Sequence, residues 1–108
     1  MTKSQIDFEL GMMGFAKSSG RDFLSAACLL YAGGMHRMQD ITARISKVTG
    51  VGEHKIYNRM LIALERAWKN QERSPKVMYS TRVRPSVKKF IKLFAEQRMG
   101  EKSCSKTE

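Results

Sequence analysis

The sequence lacks a long hydrophobic run, and no stretch of useful length alternates apolar and polar residues. No apolar run approaches the roughly 20 residues that a membrane-spanning helix needs, and Met1–Gln5 lack the apolar core of a signal peptide. Helix-compatible residues dominate over strand patterns. We therefore expect an all-α protein of the cytoplasm, with no membrane segment.

Cysteine is scarce, and clusters that mark metal sites or catalysis are missing from the sequence. Cys28 lies in an apolar helical pattern and Cys104 in a polar tail, which is typical of unpaired thiols in a reducing compartment. His36 and His54 have no cysteine or carboxylate at metal-ligand spacing. No serine elbow or glycine-rich phosphate loop is present either. These patterns predict neither an enzyme, a metal, a cofactor nor a small-molecule ligand.

The positive charge is concentrated in the middle of the chain. The formal net charge is +10 over 108 residues, and the 42% of hydrophobic residues suits one globular domain. Between Arg37 and Lys92 there are 14 Lys or Arg against four Asp or Glu, whereas the two flanks together carry six of each sign. A basic block of this kind attracts a polyanion such as nucleic acid. There are two alternatives: the surface is basic only for solubility, or the protein binds RNA or the ribosome.

Two helical patterns flank a short turn between Asp40 and Asn70. Their apolar positions follow helical spacing: Ile41, Ile45 and Val48 before the turn, and Ile56, Met60, Ala63 and Ala67 after it. Gly50 can adopt a positive φ, so the second helix can leave at a steep angle, and Val51 then turns an apolar side chain inward. This pattern predicts a helix-turn-helix whose second helix, the recognition helix, runs from about 53 to 70.

A helix-turn-helix predicts two kinds of DNA contact. The first turns of a recognition helix read bases in the major groove, while nearby cations bind phosphates. The predicted base-reading residues point away from the Ile56/Met60 stripe: His54, Lys55, Tyr57, Asn58 and Leu61. Predicted phosphate contacts are Arg44 and Lys47 beside Thr42 on the outward side of the first helix, Arg59 on the second, and Arg82 and Arg84 in a later loop.

The segments before the motif are expected to support it. Residues 1–17 are predicted as an N-terminal arm or a short helix, with Ile6, Leu10 and Met13 on one face, Phe8 and Met12 as packing residues, and docking on a second subunit as an alternative. Residues 18–100 form the predicted domain. Its first helix is capped by Ser18 or Ser19, begins near Gly20, buries more than one side, and ends at Gly33-Gly34.

The segments after the motif follow the same logic. Pro85 is predicted to occupy the first position of the last helix, whose Val87, Phe90, Ile91 and Phe94 face inward and whose Lys88, Lys89 and Lys92 form a basic outer ridge. Residues 101–108 are predicted to be a flexible polar tail. Altogether we expect a compact bundle of about five helices.

Several residues resemble a known family. They are Ile45-Ser46-Lys47 before the turn, Ile56 after it, Ala63-Leu64-Glu65-Arg66-Ala67-Trp68, and Phe90-Ile91 in a helix preceded by a proline. From about Gly20 to Met99 the chain resembles the C-terminal DNA-binding effector domain of the sporulation stage-zero response regulators. The resemblance implies a helical bundle with an embedded helix-turn-helix, here as a stand-alone domain without the receiver. The family carries arginines and a glutamate where this chain has Lys55, Tyr57, Asn58 and Leu61.

The sequence therefore predicts a sequence-specific transcriptional regulator that binds double-stranded DNA. Whether it binds as a homodimer stays open. Two alternatives also remain: a protein-interaction module built on a regulator fold, and a basic protein that binds RNA or the ribosome.

Overall fold

The computed structural model describes residues 2–70 and 85–98, and the described part contains five α-helices and no strand. The helices are α1 (Lys3–Met12), α2 (Ser19–Ala32), α3 (Met38–Thr49), α4 (Glu53–Asn70) and α5 (Val87–Arg98). The predicted all-α class and the predicted number of helices are confirmed. The predicted tail at 101–108 lies outside the described residues.

Helix α2 lies at the centre and contacts all four other helices. Its N-cap is Ser18, whose hydroxyl accepts a hydrogen bond from the Arg21 backbone N–H, and Asp22 adds a negative charge to the first turn. Its buried face comprises Gly20, Phe23, Leu24, Ser25, Ala27 and Cys28. The prediction that this helix buries more than one side and ends at Gly33-Gly34 is therefore confirmed, and Gly34 follows its C-cap with φ at +114°.

Residues 1–17 supply a helix that packs on α2. A capping box at Thr2 and Gln5 begins α1, and Ile6, Leu10 and Met13 are buried as predicted. The Asp7 carboxylate accepts a hydrogen bond from the buried Ser25 hydroxyl of α2. Burial and this polar contact together join α1 to the core.

Two packing residues predicted in this segment are in fact exposed. Phe8 and Met12 are 65% and 67% exposed and lie one helical turn apart on the outer face of α1. The prediction that they pack inward was wrong. Ile6, Leu10 and Met13 already occupy the face that meets α2, so Phe8 and Met12 fall on the opposite side.

Helix α5 closes the core from another side of α2. The predicted four residues, Val87, Phe90, Ile91 and Phe94, are buried together with Ala95, and the side chains of Lys88, Lys89 and Lys92 are exposed as predicted. The Phe90 ring lies 5.3 Å from that of Phe15, centroid to centroid. Pro85 does not occupy the first helical position: the Ser86 hydroxyl accepts from the Lys89 backbone N–H, so Ser86 caps the helix and Pro85 precedes the cap.

Candidate nucleic-acid interface

A three-residue turn, Gly50–Gly52, connects α3 to α4. Gly50 has φ at +80° and its N–H donates to the Ser46 carbonyl at 2.8 Å, as in a helix that ends with a left-handed residue. The Thr49 hydroxyl donates to the Ile45 carbonyl and accepts from the Val51 N–H, which fixes the exit of the chain. Val51 is half-buried against the core. The predicted positive φ of Gly50 and the inward position of Val51 are confirmed.

Helix α3 buries a shorter stripe than predicted. Ile41 and Ile45 are buried, whereas Val48 is 73% exposed. Thr42 is 7% exposed and donates its hydroxyl hydrogen to the Met38 carbonyl, so the prediction that it faces outward was wrong. A buried hydroxyl needs such a partner, which a residue four positions earlier in the same helix supplies. The Arg44 and Lys47 side chains are exposed.

Helix α4 begins and ends at the predicted residues and is held by one apolar stripe. The stripe contains Ile56, Met60, Leu64 and Ala67, all fully buried. Ala63 was predicted in it, but Leu64 takes that place and Ala63 is half-buried. Trp68 packs at the edge of the core. Because the stripe runs the length of the helix, the orientation of the first two turns is fixed.

Those first two turns present polar side chains to solvent. His54, Lys55, Tyr57 and Asn58 are exposed, as predicted. Leu61 is different: it is half-buried and packs against the core, so the prediction that it points away from the protein was wrong. At about 100° per residue, Tyr57 and Leu61 fall on one edge of the buried stripe, while Asn58 is nearly opposite the stripe. The exposed surface of His54, Lys55 and Asn58, with Tyr57 at its edge, is hereafter the α4 outer face.

Arg59 is directed toward α2. Its Nη1 donates a hydrogen bond to the Ser19 hydroxyl at 2.8 Å, across 40 positions of sequence. The sequence gives no signal for this pairing, because it depends on how α2 and α4 cross. Arg82 and Arg84, the remaining predicted phosphate contacts, lie outside the described residues.

The crossing of α2 and α4 depends on Gly20, which the sequence interpretation passed over as a simple helix start. A Cβ placed on Gly20 would lie 2.9 Å from the Ala63 Cβ and would collide with the Arg59 carbonyl oxygen. Only a residue without a side chain lets the two backbones approach this closely. A glycine within a helical pattern was the available signal, but the sequence does not show which residue it meets.

The described part of the chain carries few features of a metal site, a membrane-spanning helix or a reactive cysteine. Residues 2–70 and 85–98 hold no group of three or more His, Cys, Asp or Glu that could bind a metal ion. Their helices include none long and apolar enough to cross a bilayer. Cys28 is fully buried, and burial raises the pKa of its thiol well above the ordinary value.

Comparisons of the chain with protein-family models, with curated proteins and with solved structures gave no match. The resemblance to the sporulation effector domain therefore stays a prediction from the sequence.

Proposed function

We propose that this chain is a sequence-specific, DNA-binding transcriptional regulator of the cytoplasm whose α4 enters the major groove. The observation that carries the proposal is the α4 outer face. Exposed hydrogen-bonding side chains occupy the start of an 18-residue helix that a buried stripe holds rigidly after a tight turn. A helix that reads bases needs this combination, because its contacts lie near its N-terminus and their geometry must be fixed.

The residue types of the α4 outer face match the hydrogen-bonding edges of base pairs. An asparagine amide can donate to and accept from adenine at once, so Asn58 is the proposed reader of an A·T pair. Lys55 is suited to the guanine acceptors or to a phosphate, and His54 to either. Tyr57 combines a hydroxyl for phosphate with a ring that can contact a thymine methyl. Exposed Arg44 and Lys47 on α3 supply phosphate contacts.

Selection from random duplexes at physiological salt, with structured RNA present as competitor, tests the function. We expect enrichment of one sequence, and a pseudo-palindrome with half-sites about 10 base pairs apart would show that a homodimer binds. Enrichment of no sequence would remove the proposal. Preferential retention of the RNA would support the RNA-binding alternative instead.

Asn58→Ala tests the proposed base reading on the selected duplex. The variant should lose discrimination at one base pair, worth about 1–3 kcal/mol, while random DNA is bound almost as before. Ser4→Ala, an exposed polar change on α1, is the control and should alter neither affinity. Equal losses on the selected and random duplexes would show that Asn58 does not read a base.

Lys47→Ala tests the proposed phosphate contact on α3. Each lost phosphate contact should lower the slope of log K against log salt by about 0.9 and weaken all sequences alike. Lys89→Ala removes the same charge from α5 and should leave the slope unchanged. Equal changes in both variants would mean that net charge alone, and not the α3 surface, governs binding.

A protein-interaction module is the second candidate, and exposed apolar side chains favour it. Phe8 and Met12 form one such surface, and Leu29 and Val48 line an apolar groove of about 330 Å³ between α2 and α3. Large exposed apolar patches mark contacts with other proteins. If random-duplex selection enriches nothing, this candidate replaces DNA binding.

A further inference from the structure

An open groove runs beside the α4 outer face, between α4 and the segment that leads into α2. Its volume is about 370 Å³. One wall comes from Lys17, Ser18 and Ser19, and the other from Arg59, Ile62 and Arg66. Hereafter this is the Lys17–Arg66 groove.

The Lys17–Arg66 groove is cationic. Lys17, Arg59 and Arg66 contribute three positive charges from two separate segments, and none of the nine residues that line the groove is acidic. Arg59 Nη1 donates a hydrogen bond to the Ser19 hydroxyl at 2.8 Å. This contact fixes one guanidinium toward the groove, and the guanidinium keeps its charge. The N-terminal end of α2 adds a positive potential to that of the side chains. Such a groove attracts an anion that can reach three donors at once.

The position of the groove identifies that anion. At about 100° per residue, Arg59 and Arg66 lie roughly 80–100° around the axis of α4 from Asn58. When Asn58 points at the floor of the major groove, side chains a quarter turn away point at the sugar-phosphate backbone that borders it. The ligand class at that place is a backbone phosphodiester.

We propose that the Lys17–Arg66 groove binds one phosphate of the DNA backbone beside the base pairs that α4 reads. This inference rests on the proposed function and extends it, because it adds Lys17 and Arg66 to the interface. It also makes the connection between α1 and α2 a DNA-binding segment.

The first test measures the salt dependence of binding by a Lys17→Ala/Arg66→Ala double variant. Loss of this one phosphate contact should lower the slope by about 0.9, so that the affinity advantage of the original chain shrinks about 3.5-fold between 50 and 200 mM salt. The loss should be equal on selected and random duplexes. Lys88→Ala/Lys89→Ala removes two charges from exposed positions on α5 and should keep the original slope.

The second test identifies the phosphate itself. Each phosphate of the selected duplex is replaced in turn by a neutral methylphosphonate, and both proteins are measured on every duplex. At one position the replacement should weaken the original chain severalfold and leave the double variant unaffected. Lys17 and Arg66 are exposed, so circular dichroism should show the same helix content in both proteins.

Each remaining outcome contradicts the inference in a distinct way. If the original chain binds no duplex, the proposed function fails and this inference falls with it. If it binds but the double variant keeps the original slope, the groove holds no phosphate and the proposed function stands. The slope could also fall while the methylphosphonate scan finds no position that weakens the original chain and leaves the double variant unaffected. In that case Lys17 and Arg66 act only through long-range attraction.

Discussion

Helices α2 and α4 are the two longest helices described, and they use their residues differently. Only Arg21 and Asp22 of α2 carry charge, both in its first turn, and the helix contacts the four others. Helix α4 instead exposes every charged side chain and buries a single stripe. The comparison indicates that α2 chiefly determines stability, whereas the outer surface of α4 is free to bind a partner.

The largest expected effect comes from the core side of this comparison. Leu24→Ala removes a fully buried side chain of α2 and should lower the free energy of unfolding by about 2–5 kcal/mol. Lys55→Ala on the exposed side of α4 should leave stability nearly unchanged. Urea denaturation followed by circular dichroism measures both. Comparable losses in the two variants would break the distinction between the helices.

The next effect concerns the place where the two helices meet. Gly20→Ala adds a Cβ inside the contact distances of the Arg59 carbonyl and the Ala63 Cβ, and should cost about 1–3 kcal/mol of stability. Gly33→Ala is the control, because its added Cβ meets nothing closer than 3.5 Å. If Gly20→Ala raised the melting temperature through better helix propensity, the close crossing would be disproved.

A smaller effect is expected at the turn that orients α4. Gly50→Ala forces an L side chain into a left-handed conformation and should cost about 1–2 kcal/mol. Gly52→Ala, at a position where an added Cβ meets nothing within 4 Å and φ is not positive, should cost less. Thermal unfolding of the pair measures the difference, and equal costs would mean that the positive φ of Gly50 carries no penalty.

The smallest expected effect is a pH dependence of stability that comes from Cys28 on the buried face of α2. Because burial raises the pKa of the Cys28 thiol, only the unfolded chain releases this proton just above its ordinary pKa. Stability from this group is therefore complete well below the ordinary thiol pKa of 9.0 and falls as the pH rises through that value, by about 0.4 kcal/mol at pH 9. Cys28→Ala should flatten that part of the profile, and an identical profile in the variant would contradict the assignment.

Apolar periodicity predicted which face of each helix turns inward. It did not predict how much of that face the neighbouring helices cover. Val48 continues the spacing of Ile41 and Ile45, yet it is exposed near the end of α3. Leu61 shows the opposite error: it was predicted to be exposed, but a side chain at the edge of the α4 stripe still reaches the core. Periodicity specifies angles around an axis, whereas burial depends on the positions of neighbouring helices.

The candidate site divides in the same way. The exposure of four side chains could be predicted, because they lie off the apolar stripe of a single helix. They are His54, Lys55, Tyr57 and Asn58. The Lys17–Arg66 groove could not be predicted, because its walls are about 40 residues apart in sequence and meet only where Gly20 lets α2 and α4 approach.

The sequence by itself determined the helices, the turn at Gly50 and the inward face of α4, because caps, glycine conformations and apolar spacing act within a few residues. Only the tertiary structure decided which cations share a surface and that Arg59 faces α2. Those arrangements arise from close packing between helices that are distant in sequence, where a single missing Cβ sets the separation.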